Sequence, residues 1–204
     1  MAISKPWRAM RRLIGSAGPS RRYAVLLILA GVPMTFDAGA QSDQSDRVDR
    51  VKAAFVLNIA RFVTWPDGAF MSQESDLSFC LYRDNPIHRA VEMLQNEAVA
   101  GRRITVNRIE TWTESGTCHI MLIARQQLRR YLDEARSEEI RPVLTIVDLT
   151  DSENVSAEAN EALVTLVRND KRIGFQINLG RSLQAGLKMS SQLLKLATIV
   201  GEKP

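Results

Sequence analysis

The sequence predicts one α/β domain: a sandwich with a mostly parallel central sheet, a C-terminal antiparallel hairpin and flanking helices. Three observations carry that expectation. Short apolar runs alternate with helix-type segments over residues 77–149. Two β-rich runs follow, with only Asn169-Asp170-Lys171 between them. A helical period opens the region at Val48, Val51, Phe55, Ile59 and Phe62. Alternation of this kind builds βαβ units and a parallel sheet, and a short polar break between two strands builds a hairpin. The chain has 204 residues, enough for one domain with a real core and short for two. It contains no internal repeat, low-complexity block or dividing linker, so residues 48–204 read as a single domain behind a loose polar tail at 41–47.

Each element has a local reason. The opening helix takes Asp46 as its N-cap and stops at Trp65-Pro66, because the residue before proline disfavours the α region. Leu77–Arg83 (LSFCLYR) is a strand. Asp84-Asn85-Pro86 turns the chain into a helix running to about Asn96, with proline in its first turn. Arg103–Ile109 alternates as a strand does, Ile104, Val106 and Arg108 against Thr105 and Asn107. After a linker holding Trp112 and Gly116 comes the apolar strand His119–Ala124, then a helix over Gln126–Ser137 with Leu128, Tyr131, Leu132 and Ala135 on one side. Val143–Leu149, Ala162–Arg168 and Arg172–Leu179 are strands, and a final helix is expected from about Leu183 to Val200.

Charge points to a leader rather than to nucleic acid. The formal charge is +4, but residues 1–40 hold six basic residues and one acid, which leaves 21 basic against 22 acidic residues in 41–204. Arginines at the front, the apolar run Tyr23–Val32 and the small residues Ala38-Gly39-Ala40 have the form of a secretory signal cleaved after Ala40. The apolar stretch is interrupted by Pro33 and falls short of the about 20 residues a bilayer span needs. The expected destination is outside the cytoplasm, in an oxidising compartment. There, two cysteines, Cys80 and Cys118, favour a disulfide over a catalytic pair; the alternative is two buried free thiols. A bridge across that separation contributes at most about 4 kcal/mol by the loop-closure argument.

Catalytic chemistry is hard to place. The two histidines, His88 and His119, sit on different elements, and neither has a partner at metal-binding spacing. Gly-x-Gly-x-x-Gly, a P-loop and Gly-x-Ser-x-Gly are absent. Carboxylate pairs such as Asp148 with Asp151, or Glu138 with Glu139, read as solvated. Three Trp, three Tyr and a near-neutral mature chain offer no stacking platform or basic groove for nucleic acid. The reading is no enzyme, no cofactor and no metal. The last helix is the exception to this blandness: Leu187, Leu194 and Ala197 supply a core face, while Leu193, Leu196, Ile199 and Val200 make the final turns apolar nearly all round. Those turns are either deeply buried or wait for a partner.

Two segments together resemble the YfiR family of small periplasmic proteins. Val51–Pro66 (VKAAFVLNIARFVTWP) is similar to that family's opening. Phe175–Leu179 (FQINL) followed by Ala185–Ala197 (AGLKMSSQLLKLA) is similar to its ending, and Cys80 with Cys118-His119 matches its cysteine pair. The resemblance covers about residues 48–200. It implies an α/β sandwich without enzyme activity, a tendency to form homodimers, and restraint of a membrane-bound diguanylate cyclase through that enzyme's periplasmic portion. A lipoprotein of the outer membrane would relieve the restraint. Cyclic di-GMP, and with it biofilm and exopolysaccharide, would fall when the protein acts. Some members carry a second, late cysteine pair, and residues 119–204 hold no cysteine. The motif positions Lys52, Ala53, Asn58, Phe62, Trp65, Pro66, Asn178, Gly186, Leu187 and Leu194 are expected to be structural. Trp65-Pro66 would be a packed helix stop, the Asn178 amide would tie the hairpin end to the last helix, and Gly186 would let helix and sheet approach closely. The expected partner surface is Leu193, Leu196, Ile199 and Val200. The runner-up is a small-ligand sensor module with a crevice at the carboxyl ends of the parallel strands.

Overall fold

Apolar side chains on both faces of the middle strands decide the architecture. In the computed structural model, which describes residues 39–170 and 172–201, strands β2 (Leu77–Tyr82), β5 (Ile120–Ala124) and β6 (Leu144–Asp148) are buried along almost their whole length. Continuous burial of this kind belongs to parallel strands covered on both sides. Leu77, Phe79, Leu81, Ile120, Leu122, Leu144 and Ile146 point into one core, beneath α1 (Gly39–Ala60) and α2 (His88–Glu92). Cys80, Tyr82, Met121, Ile123 and Val147 point into the other, beneath α3 (Leu128–Ala135) and a 3-10 turn at Trp112–Thr117. The alternation of side chains along a strand therefore separates the two cores residue by residue.

The sheet has eight strands. Besides β2, β5 and β6 it contains β3 (Ala98–Val99), β4 (Arg102–Ile109), β7 (Val164–Asn169), β8 (Arg172–Asn178) and β10 (Thr198–Val200), in the order β10-β8-β7-β6-β5-β2-β4-β3. Pairings are parallel except β7–β8 and β3–β4. The mostly parallel sheet, flanking helices and C-terminal hairpin match the fold class expected from the sequence. In the hairpin, Asn169 pairs with Arg172 and Asp170 takes a left-handed conformation (φ 54°), which Asp tolerates better than most residues.

Several expectations are corrected. The tail expected at 41–47 is helical, since α1 starts at Gly39; an Asp43–Arg47 ion pair one turn apart (2.8 Å) supports the added turn. The leader expected over 1–40 lies almost wholly outside the described residues. The face of α1 also differs. Lys52, Ala53, Val56, Leu57, Ile59 and Ala60 are buried, while Val48, Val51 and Phe62 are exposed. Ala53 and Ala60 are buried in the core beneath the helix, and Lys52 finds carboxylates on the inward side.

The largest correction is the last helix. Instead of running from 183 to 200, the chain forms α4 (Leu179–Gln184), the two-residue strand β9 (Lys188–Met189), α5 (Ser191–Leu196) and then β10. Gly186, at φ +72°, ends α4 in the left-handed conformation that glycine adopts most readily, and its amide donates to the Leu183 carbonyl (2.9 Å). The Ser190 hydroxyl then accepts from the Leu193 amide (3.2 Å) and starts a new helix as its N-cap. Ala197 is extended, and the last residues join the sheet beside β8.

Candidate functional site

The two quoted segments, which lie at opposite ends of the domain in sequence, meet in space. β1 (Val63–Thr64) pairs antiparallel with β9, Val63 opposite Met189 and Thr64 opposite Lys188, and the Ser190 amide donates to the Phe62 carbonyl (2.9 Å). A Cβ on Gly186 would lie 3.4 Å from Pro66 Cγ. The glycine thus sits against Pro66 of the other segment, where its positive φ matters more than helix–sheet spacing. Trp65-Pro66 is not the helix stop expected from the sequence, because α1 has already ended at Ala60 and β1 intervenes. Trp65 Nε1 donates to the His119 carbonyl (3.3 Å). Ala53 and Leu187 are core, Leu194 packs partly buried against it, and Asn58 is exposed, accepting from Arg61.

Asn178 joins three elements. Its side-chain oxygen accepts from the Arg181 amide (2.9 Å) and so caps α4, while its nitrogen donates to the Asn160 carbonyl (2.6 Å). Gly201, at φ +80°, packs directly on the same amide, where a Cβ would clash at 2.6 Å.

The expected partner surface divides. Leu193 is only 3% exposed and belongs to the core, whereas Leu196 is 76% and Ile199 45% exposed; Val200 is intermediate. Breaking the helix explains the division. Leu193 packs inward within α5, Leu196 is that helix's last residue and faces solvent, and Ile199 lies on the edge strand β10 rather than on a helix.

Lys52 is the residue whose partners the sequence did not reveal. Only 3% exposed, it reaches Asp148 Oδ2 at 3.0 Å and Asp151 Oδ2 at 3.4 Å. Burial pulls the Lys52 ammonium down, but Asp148 and then Asp151 more than offset this and hold it above the ordinary lysine value. Asp49, one turn earlier, is pushed up mainly by burial, with Lys52 opposing. Asp148 also accepts from the Thr150 amide (3.0 Å) and hydroxyl (2.7 Å). Asp148, which read as solvated, is in fact largely buried and anchors α1 to the carboxyl end of β6, while Asp151 adds a longer contact and stays solvent-exposed as expected. The available signal was a lysine on what must be the buried stripe of a helix.

Cys80 and Cys118 form a disulfide with Cα atoms 5.8 Å apart, buried between β2 and the entry to β5. Beside it, His119 Nδ1 accepts from the Ser78 amide (3.0 Å), which leaves the proton on Nε2, 3.0 Å from the Ala69 carbonyl. Its ring stacks on Phe70 (centroids 4.1 Å apart, planes 8° apart), and Arg102 lies over Phe70 at 3.7 Å. Burial lowers the His119 pKa and Arg102 adds to that, with the Ala69 bond opposing. Among the described residues no group of three or more His, Cys, Asp or Glu is arranged to hold a metal, and no helix is long and apolar enough to cross a membrane.

A comparison with protein families matches the YfiR/HmsC-like family over residues 49–198. The chain belongs to that family. The match takes in both converging segments and the disulfide between them. No curated protein matches the sequence. As a YfiR/HmsC-like protein, the chain has its most clearly built features at the β1–β9 junction, the Lys52 network and the Cys80–Cys118 bridge.

Proposed function

We propose that this YfiR/HmsC-like protein is a non-catalytic periplasmic regulator that restrains a membrane-bound diguanylate cyclase by binding its periplasmic portion, and so lowers cyclic di-GMP and biofilm output. The observation that carries the reading is the family match over residues 49–198. The buried disulfide suits an oxidising compartment. The exposed Leu196 and Ile199 offer apolar anchors on the closing segment. In the same proposal, the protein acts as a homodimer and an outer-membrane lipoprotein relieves the restraint.

The test is intracellular cyclic di-GMP in a strain lacking the gene, complemented with wild type or with Leu196→Glu/Ile199→Glu. Deletion should raise cyclic di-GMP, wild type should restore it, and the double variant, folded by circular dichroism, should not. Unchanged cyclic di-GMP on deletion, with the wild-type protein shown to be exported, would sink the reading. Full restoration by the double variant would move the contact surface elsewhere.

A further inference from the structure

The N-terminal half of the opening helix is apolar where the core does not cover it, at Val48 and Val51, and Phe55 one turn on packs edge-on against Phe175 of β8 (ring centroids 5.6 Å apart). Val48, Val51 and Phe55 follow one another at helical spacing, and Val48 and Val51 are exposed although the sequence pattern marks them for burial. Across from them stands the β7–β8 hairpin, with Ile173 on its near side. Between helix and hairpin lies a cavity of about 480 Å³, open at the carboxyl end of β6 where Thr150 contributes to its wall. That volume is within the usual range for a small-molecule site.

The polar lining has one sign. Arg47, Lys52, Arg168 and Arg172 line the cavity, and no carboxylate does. Lys52 is committed to Asp148 and Asp151. Arg168 donates Nε to the Thr150 carbonyl (2.7 Å) and reaches Asp151 at 3.4 Å. Among the described residues Arg47 pairs with the solvent-exposed Asp43, a contact worth little and easily exchanged. The Arg172 guanidinium has no hydrogen-bond or ion-pair partner among the described residues, and it stands next to Ile173. An inorganic anion would leave the floor of Val48, Val51, Phe55 and Ile173 wet. A neutral lipid would leave Arg172 facing nothing. A guanidinium fork takes an acid head group bidentately, and the apolar floor takes a chain or ring.

We infer that the cavity between α1 and the β7–β8 hairpin binds a small amphiphilic organic anion, its acid head on Arg172 and Arg47 and its apolar body along Val48, Val51 and Phe55. The site does not rest on the regulatory reading, and binding is measured on purified protein with no cyclase present, so failure of either leaves the other standing.

The test is calorimetric titration of the intact exported protein with monomeric decanoate, and with decanol to remove the charge. One saturable site is expected for decanoate. It should weaken at least tenfold in Arg172→Glu and in Val51→Asp and be unchanged in Leu196→Ser. Decanol should bind at least tenfold more weakly. Both pocket positions are at the surface, so the variants should keep the wild-type thermal transition. A decanoate-induced rise in the wild-type transition, absent with decanol, gives a readout that needs no variant. Absence of saturable binding, equal binding to Arg172→Glu, or equal affinity for decanol would overturn the proposal. Binding only to phosphatidylglycerol vesicles, with none to the monomeric acid, would overturn it too, by assigning the charge to a membrane surface.

Discussion

The two faces of the sheet are built differently. Beneath α1 and α2 lies the larger core, broad enough to hold at its margin a buried lysine with two carboxylates. Beneath α3 the core is smaller. Aromatic edges (Tyr82 to Tyr131 at 6.0 Å, Trp112 to Tyr131 at 5.6 Å) and the Cys80–Cys118 bridge share the work of holding it. The difference teaches where each half is vulnerable. The smaller face depends on a covalent link that a reductant can cut, the larger on an ionic network that a single substitution can leave unbalanced.

The largest expected effect is therefore on the smaller face. Reduction, or the Cys80→Ala/Cys118→Ala pair, should lower unfolding free energy by up to about 4 kcal/mol, read from urea titrations with and without reductant. A loss below about 1 kcal/mol would show that the aromatic edges suffice. Next comes the network on the other face. Lys52→Ala should cost about 3 kcal/mol, because it strands Asp148 without its counter-ion. Lys52→Met combined with Asp148→Asn, which keeps the acceptor for Thr150, should recover more than half of that loss. Equal stability of Lys52→Ala and wild type would remove the contrast between the faces.

A third comparison lies within the closing segment. Leu193→Ala should cost about 2–3 kcal/mol, and Leu196→Ala less than about 0.5 kcal/mol, although the two leucines are three positions apart. Comparable losses at both would mean that Leu196 is covered in solution. The smallest effect concerns pH. In the unfolded chain His119 takes up a proton near its ordinary 6.5, whereas in the folded protein burial holds its pKa lower. The unfolded state therefore binds more protons in that window. The stability contribution is complete above about pH 6.5 and is lost as pH falls through the folded value. Thermal transitions from pH 7.5 to pH 5 should decline less steeply in His119→Gln than in wild type, and parallel curves would exclude the histidine as the cause.

Much of the fold was legible because strand burial in this sheet is nearly continuous. LSFCLY, IMLIA and LTIVD show it at once, and Asn169-Asp170-Lys171 marks the hairpin. The short strands were not legible. β1, β9 and β10 have two or three residues each, too few to show a period, and exist because tertiary partners supply their hydrogen bonds. The closing segment shows the same limit. Its leucines fit one long helix by spacing alone, and Gly186 and Ser190 break that helix only because each serves a local role, as a left-handed stop and as a cap. In α1 the helical period was legible but the buried face was not: of Val48, Val51, Phe55, Ile59 and Phe62 only Ile59 is fully buried, while Lys52, Ala53, Val56, Leu57 and Ala60 turn inward beside it. Of the candidate site, the cysteine pairing was legible; the partners of Lys52 and the outward turn of Leu196 needed the three-dimensional arrangement.

The pairing of β1 with β9, and of β10 with β8, also has a consequence in time. Val63 finds its partner at Met189, and β8 finds its outer neighbour only at Thr198–Val200. A chain emerging N-terminus first can form α1 and the middle strands early. It cannot seal the β1–β9 junction, or cover the open side of β8, until residues 188–200 are free. Contacts so distant in sequence slow the final step. During that interval the unpaired side of β8 is a template for the wrong strand, so deleting the few residues of β10 should show itself first as aggregation during synthesis and export rather than as a modest loss of equilibrium stability.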